Sequence, residues 1–183
     1  MAVAAALAAG CGSGPGTPTA TSTPTATVTA SPTPTLDPAL AEQQESVEAA
    51  TATLATFLRV SDEIAEAGYA DWSAMSTLVG GELRTNLVSF FEQSRDLGAR
   101  QTSRGTVESI VLKEFQPGTP GAGGERVLLD ACLDNSTSEV LLPDGSSDID
   151  RSYPQRVVVT YTVQHHVDFW TVDDAQSDAS RTC

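Results

Sequence analysis

The sequence predicts an α+β protein, because helical and strand-like patterns occupy separate halves of its folded part. From Pro38 to Ala67 no glycine and no further proline interrupts a helical spacing of apolar residues. Beyond Arg100 the apolar residues change to a period of two, which is typical of strands. Since helices and strands do not alternate regularly, a parallel doubly wound sheet is not expected.

The first predicted helix is long and has a signal at each end. Asp37 is a suitable N-cap, Pro38 stands at the first helical position, and Gly68 has the place of a C-cap glycine. At 1.5 Å per residue, the helix would be about 45 Å long. Its inward face would carry Val47, Leu54, Phe57, Leu58, Val60 and Ile64.

Two shorter helices are predicted next. One begins at Asp71 and ends before Gly80, with Trp72, Met75, Leu78 and Val79 facing inward. The other ends at Gly98 and presents a stripe of four apolar residues, Leu83, Leu87, Phe90 and Phe91.

The strands follow. Alternation continues through Val107, Val111 and Phe115 as far as Pro117, where a glycine-rich loop begins. Further strands are expected at Val127–Leu133, Val140–Leu142, Arg156–Val163 and Phe169–Val172. The last two read as a hairpin whose connection includes His165, His166, Val167 and Asp168.

The N-terminal part divides into residues 1–11 and 12–36. Leu7-Ala8-Ala9-Gly10-Cys11 resembles the lipid-attachment box of a bacterial lipoprotein, which implies a diacylglyceryl group on Cys11. The alternative is an alanine-rich N-terminus with an unrelated cysteine. Residues 12–36 are almost purely Thr, Pro, Ser, Ala and Gly, the composition of a disordered tether. The expected location is the extracytoplasmic face of a bacterial membrane, with residues 37–183 as the folded domain.

The charge distribution limits the partners of this domain. All 24 acidic and 10 basic residues lie in residues 37–183, giving a net charge of −14. Nucleic acid is not an expected partner, because phosphate contacts require clustered lysine and arginine. No residue pattern calls for a cofactor.

Two cysteines remain if Cys11 carries lipid. Outside the cytoplasm, Cys132 and Cys183 are most simply explained as a disulfide. A reactive thiol is the competing explanation, but Lys, Arg and His do not cluster beside either cysteine in the sequence.

The element order resembles the nuclear transport factor two-like superfamily, which includes SnoaL-like cyclases. Short motifs add to the likeness, namely Leu129–Asp134, Phe169–Val172 and Thr182-Cys183, together with the Thr/Pro tether. They are similar to those of actinobacterial secreted lipoproteins in that superfamily. The resemblance implies a cone-shaped fold, in which the helices cover a curved antiparallel sheet and leave a pocket at one end.

Enzymes of that superfamily use an Asp base with Tyr or protonated Asp as oxyanion donors. The resemblance therefore suggests an acid–base site of Asp130 with Tyr69 or Tyr161, and a pocket lined by Trp72, Tyr161 and Trp170. Asp71 is explained more simply as a helix cap, and Tyr161 as a sheet residue. Asp130 shares a strand face with Cys132 and Asp134, so it could equally face water.

Two groups of potential metal ligands occur close together in the sequence. His165 and His166 would point to opposite faces of a strand, and no further ligand stands at a suitable spacing, so an exposed turn is the favoured interpretation. Asp144, Asp148 and Asp150 do not match the EF-hand spacing, which favours a solvated loop. We therefore expect no metal.

Two functions remain in view. The first is a non-catalytic accessory module that binds a small apolar ligand or an envelope protein while its lipid holds it at the membrane. The alternative is a SnoaL-like lyase, isomerase or cyclase. A homodimer is compatible with either.

Overall fold

The computed structural model describes residues 37–119, 122–178 and 180–183; the predicted lipid-attachment box and tether lie outside these ranges. The described part contains two α-helices, one 3-10 helix and six strands. They are α1 (Pro38–Glu66), the 3-10 helix η1 (Ser73–Thr77), α2 (Gly81–Leu97), β1 (Arg100–Ser103), β2 (Thr106–Gln116), β3 (Gly123–Asp134), β4 (Glu139–Leu141), β5 (Arg156–His166) and β6 (Phe169–Ser177).

The strands form two antiparallel sheets. The larger has the order β2-β3-β5-β6, and the smaller joins β1 to β4. The strand-like segment that begins at Arg100 thus forms two strands, β1 in the smaller sheet and β2 in the larger one. The prediction of an α+β protein with helices and an antiparallel sheet is confirmed.

Helix α1 begins and ends at the signals found in the sequence. The Asp37 carboxylate accepts a hydrogen bond from the Ala39 amide at 3.0 Å, and Pro38 occupies the first helical position. At the other end Gly68 has a φ of +68°, and the Tyr69 amide turns back to the Ile64 carbonyl at 2.9 Å. This left-handed reversal points Tyr69 into the core.

The core lies between α1 and the inner face of the larger sheet. Leu54 of α1, Val127 of β3 and Val163 of β5 are completely buried. Phe57 meets Tyr161 edge-on, with ring centroids 6.1 Å apart. Since side chains alternate along a strand, the opposite face of β3 carries the polar residues. The remaining buried apolar residues include Ala50, Val60, Ile64, Met75, Phe91, Leu129, Ala131, Val159 and Val172.

The predicted second α-helix is wrong. Only Ser73–Thr77 is helical, and it is a 3-10 helix. Leu78 and Gly80 instead bond the edge of β6, where the Val172 amide donates to the Leu78 carbonyl at 2.8 Å and the Gly80 amide donates to the Val172 carbonyl at 3.1 Å. Too few residues separate Gly68 from Gly80 for a long helix. The edge of β6 satisfies the backbone groups of Leu78 and Gly80 in place of helical hydrogen bonds.

The predicted disulfide is present. Cys132 on β3 is bonded to Cys183, with the two Cα atoms 5.9 Å apart. The segment before Cys183 follows β5, where the Val158 amide donates to the Arg181 carbonyl at 3.0 Å. The C-terminal segment is therefore held to the outer face of the sheet by a covalent bond and by backbone hydrogen bonding.

Candidate functional site: a groove between the 3-10 helix and helix α2

A cavity of about 350 Å³ lies between η1 and α2. Asp71 accepts a hydrogen bond from the Ser73 amide at 2.8 Å, and this contact lowers the pKa of its carboxyl group. Asp71 thus forms a local turn before η1 rather than the helix cap that the sequence favours, since the cap position is Trp72 and no side chain caps the helix there. The cavity is lined by Ala70, Asp71, Trp72, Ser73, Met75, Ser76, Val79, Arg84, Leu87, Val88 and Phe91.

The walls of this groove are mainly apolar. The indole of Trp72 packs on Phe91 with ring centroids 6.1 Å apart, and the guanidinium of Arg95 covers the indole at 5.2 Å. Met75 and Phe91 are buried, whereas Val88 is 37% exposed at the open side. Such a cavity has the size and lining of a small-molecule site.

A second cavity of about 500 Å³ adjoins the first. Both are lined by Ser76, Val79 and Arg84, so the two cavities are neighbours and are together called the groove; His166, Phe169 and Thr171 line the second one. The His166 Nε2 atom lies 2.9 Å from the Thr171 hydroxyl, which donates to the Asp173 carboxylate at 2.6 Å.

Two glycines allow the floor of the groove to approach β6. A Cβ on Gly80 would lie 2.3 Å from a carboxylate oxygen of Asp173. Gly81 has a φ of +53°, and a Cβ there would lie 2.7 Å from the Asp173 carbonyl oxygen. Gly81 is therefore needed both for the turn into α2 and for the close packing on the β6 backbone, whereas a Cβ on Gly80 would meet only side-chain atoms.

The three predicted pocket residues do not share one site. Trp72 lines the groove, as expected. Tyr161 is buried in the core beneath α1, and burial raises its pKa to about 12. Trp170 stacks on His165 at the end of the sheet, with ring centroids 4.6 Å apart. Tyr69 packs behind the groove against Phe91, and burial raises its pKa, although a hydrogen bond with Ser94 opposes the rise.

Asp130 lies on the face of β3 opposite to the core. Its carboxylate accepts hydrogen bonds from Arg181 at 2.6 Å and from Thr160 at 2.5 Å, and Lys113 lies 3.7 Å away. The contact with Arg181 is the main reason why the pKa of Asp130 is lowered, against the opposing effect of burial. An oxyanion donor needs a raised pKa instead. In the strand register Tyr161 faces Leu129 rather than Asp130, so the structure does not bring Asp130 and Tyr161 together.

Asp130→Asn is expected to lower the free energy of unfolding by about 1 kcal/mol at pH 7, because the variant loses a charge-assisted interaction. A lowered folded-state pKa stabilises the protein above the unfolded value, near 3.9, and this stabilisation is lost as the pH falls through the folded-state pKa. Urea unfolding at pH 7 and pH 3 should therefore show a difference between wild type and variant that shrinks in acid. Asp168→Asn, in the exposed hairpin turn, is the control; an equal effect of both changes at pH 7 would contradict the role of Asp130.

The expected exposed turn at His165 and His166 is wrong. Both residues belong to β5, and the connection to β6 is only Val167 and Asp168. The pairing of β5 with β6 extends to His166, whose ring stacks on Phe169 with ring centroids 5.2 Å apart. As alternation requires, the two imidazoles bond different partners, His165 to Glu125 and His166 to Thr171.

Sequence reasoning missed the pair formed by Glu125 and His165. The His165 Nδ1 atom lies 2.6 Å from a Glu125 carboxylate oxygen. Burial alone would raise the pKa of Glu125, but its own backbone amide and His165 lower it. The available signal was period-two alternation, which places Glu125 on the same face as Val127 and Leu129. Glu125 also borders a separate cavity of about 400 Å³ beside the start of α1.

The acidic loop forms local turns. Asp144 accepts a hydrogen bond from the Ser146 amide at 2.9 Å and Asp150 accepts one from the Ser152 amide at 2.8 Å. The serine hydroxyls, followed by these amides, lower the pKa of both carboxyl groups. Within the described ranges, the one group of three metal-type ligands that lie close together is Glu108, Cys132 and Cys183. Its two sulfurs are already joined in the disulfide.

Comparison with models of protein families gives no match, and comparison with curated proteins gives none either. Among the solved structures that the chain resembles is the intermembrane space region of the chloroplast protein ARC6, at 11% identity and a TM-score of 0.38, over 82% of this chain and 100% of that one. A likeness at that level carries no conclusion. Among the described residues, no helix combines the length and apolarity needed to cross a membrane.

Proposed function

We propose that the domain is a non-catalytic, ligand-binding accessory module, and that the groove between η1 and α2 is its binding site. The observation that carries this proposal is the apolar lining around Trp72, Met75 and Leu87 in a cavity of about 350 Å³. An apolar cavity of this size with a few polar groups is the first place to expect a small-molecule site. An acid–base enzyme is less well supported, because the carboxylate suggested for it is ion-paired on the outer face of the sheet.

We also propose a cellular location for the protein. Cys11 in its lipoprotein-like context would hold the domain at the extracytoplasmic face of a bacterial membrane, with residues 12–36 as the tether. A disulfide within the domain supports an oxidising compartment. We also propose membership of the nuclear transport factor two-like superfamily, supported by a helix crossing one face of a four-stranded antiparallel sheet.

Binding can be tested with N-phenyl-1-naphthylamine, a neutral apolar dye that fluoresces when it leaves water. The full chain is expected to bind it saturably, with quenching of Trp72. Val88→Glu places a charge at the mouth of the groove and should weaken binding at least tenfold, roughly the effect of one unfavourable charge. Val111→Glu is the matched control, since Val111 is also exposed but lies on β2. No saturable binding by the wild type would overturn the proposal.

The anchor has a separate test. In a bacterial host that processes lipoproteins, Cys11→Ala is expected to release the protein from the membrane fraction, because two acyl chains are needed for firm attachment. Cell fractionation and immunoblotting would measure the release. Retention of the variant at the membrane would refute attachment through Cys11 while leaving the binding proposal intact.

A protein partner is the second candidate occupant of this side of the domain. Phe90 and Leu97 on α2 are each 51% exposed, which is unusual for large apolar residues on one helix. An envelope protein or a second copy of the chain could cover them. Dye binding that Val88→Glu leaves unchanged but Phe90→Ser abolishes would place the binding surface at this exposed apolar patch rather than in the groove.

A further inference from the structure

Arg84 stands where the two cavities of the groove meet. It lines the cavity of about 350 Å³ beside Trp72 and also the cavity of about 500 Å³ beside His166. Its place in the first turns of α2 is fixed by backbone bonding, since the Arg84 amide donates to the Gly80 carbonyl at 3.1 Å. The guanidinium is thus attached to a well-anchored part of the helix.

Arg84 differs from the other cations of the domain. The chain has ten lysine and arginine side chains against 24 acidic ones. Within the described residues, Arg84 alone among these ten has no side-chain hydrogen bond or ion pair. The other nine are bonded: Arg59, Arg95, Arg100, Arg104, Lys113, Arg126, Arg151, Arg156 and Arg181. Because Arg84 is exposed at the groove and has no partner among the described residues, its charge is available to a bound anion.

We infer that the groove takes an amphipathic monocarboxylate, whose carboxylate pairs with Arg84 and whose apolar part lies against Trp72 and Leu87. A guanidinium binds a carboxylate through two parallel hydrogen bonds. The hydroxyl of Thr77, which lines the same groove, supplies a further donor, whereas the Ser76 hydroxyl already donates to the Ser73 carbonyl at 2.7 Å.

A phosphate fits the groove less well than a carboxylate. No second lysine or arginine lines either described cavity, while Asp71 lines the first and Asp173 lies 3.8 Å from His166 at the end of the second. Carrying two negative charges, a phosphate would meet one cation and two nearby carboxylates. A single negative charge is the better match.

This inference rests on the proposed function, and the experiment separates the two. Decanoate and decanamide have the same apolar chain but differ in charge. Each would be titrated against the full chain carrying Trp170→Phe, so that Trp72 is its one tryptophan and reports binding by fluorescence. The protein is expected to prefer decanoate about tenfold, the low end for a charge-assisted hydrogen bond at an exposed arginine.

Arg84→Gln should remove this preference by weakening decanoate about tenfold, with decanamide affinity almost unchanged. Arg59→Gln, on α1 and outside the groove, is the matched control and should leave both affinities as they are. Equal affinities in the parent, or an unchanged preference in Arg84→Gln, would overturn the inference and leave the binding module in place. Failure of both ligands, and of the neutral dye, would overturn the proposed function itself.

Discussion

Replacing both Cys132 and Cys183 by serine is expected to destabilise the domain by about 4 kcal/mol, the largest effect among the changes considered. The bond joins residues separated by 51 positions, and the chain-entropy relation for a loop of that length gives this magnitude. For a domain of this size, the midpoint of thermal unfolding should fall by roughly 10 °C. Circular dichroism of the wild type with and without reductant should reproduce the shift.

The control for this experiment is Arg181→Gln. Arg181 lies on the same C-terminal segment and bonds Asp130, but its removal leaves the covalent link intact. Its effect should be much smaller than that of the double serine variant. If reductant leaves the unfolding midpoint of the wild type unchanged, the disulfide contributes no stability and the C-terminal segment is held by other contacts.

Leu54→Ala is expected to cost about 3 kcal/mol, because it opens a cavity where α1 meets the sheet. Leu54 has no exposed surface, and its neighbours are fixed by the strands beneath. Leu40→Ala in the same helix is the matched control, since Leu40 is 58% exposed and its truncation should change stability by less than about 0.5 kcal/mol. Urea unfolding measures both; equal effects would mean that α1 does not pack on the sheet as described.

The start and end of α1 could be predicted because local chemistry decides them. Asp37 caps the first turn, and Gly68 adopts the left-handed conformation that terminates the helix. The disulfide could be predicted from the number of cysteines and the compartment that the sequence suggests. These features depend on few residues and on no distant contact.

Other features depend on tertiary contacts that a sequence pattern does not contain. The segment from Asp71 to Val79 has helical spacing, yet the edge of β6 binds its last residues and leaves only one short 3-10 helix. The ladder of β5 and β6 extends to His166 because aromatic rings stack across the strands. In both places a distant partner overrides the local preference.

The candidate site was only partly foreseeable. Trp72 could be named as a pocket residue only through the family resemblance, which named Tyr161 and Trp170 with it, and of the three only Trp72 lines the groove. Arg84 could not be named from the sequence. It stands out because it has no bonding partner among the described residues, and only the structure shows which acidic groups lie near which cations. Asp130 was conspicuous in the sequence, but its pairing with Arg181 required the return of the C-terminal segment.

The segment from Leu78 to Gly80 both walls the groove and bonds the edge of β6 near Val172. If a ligand displaced this segment on entering, the backbone groups at the edge of β6 would lose their hydrogen bonds. An exposed strand edge of this kind can pair with another chain and lead to aggregation. Entry past Val88 on the open side avoids that hazard. Binding by that route leaves the backbone hydrogen bonds of Leu78 and Gly80 to Val172 in place.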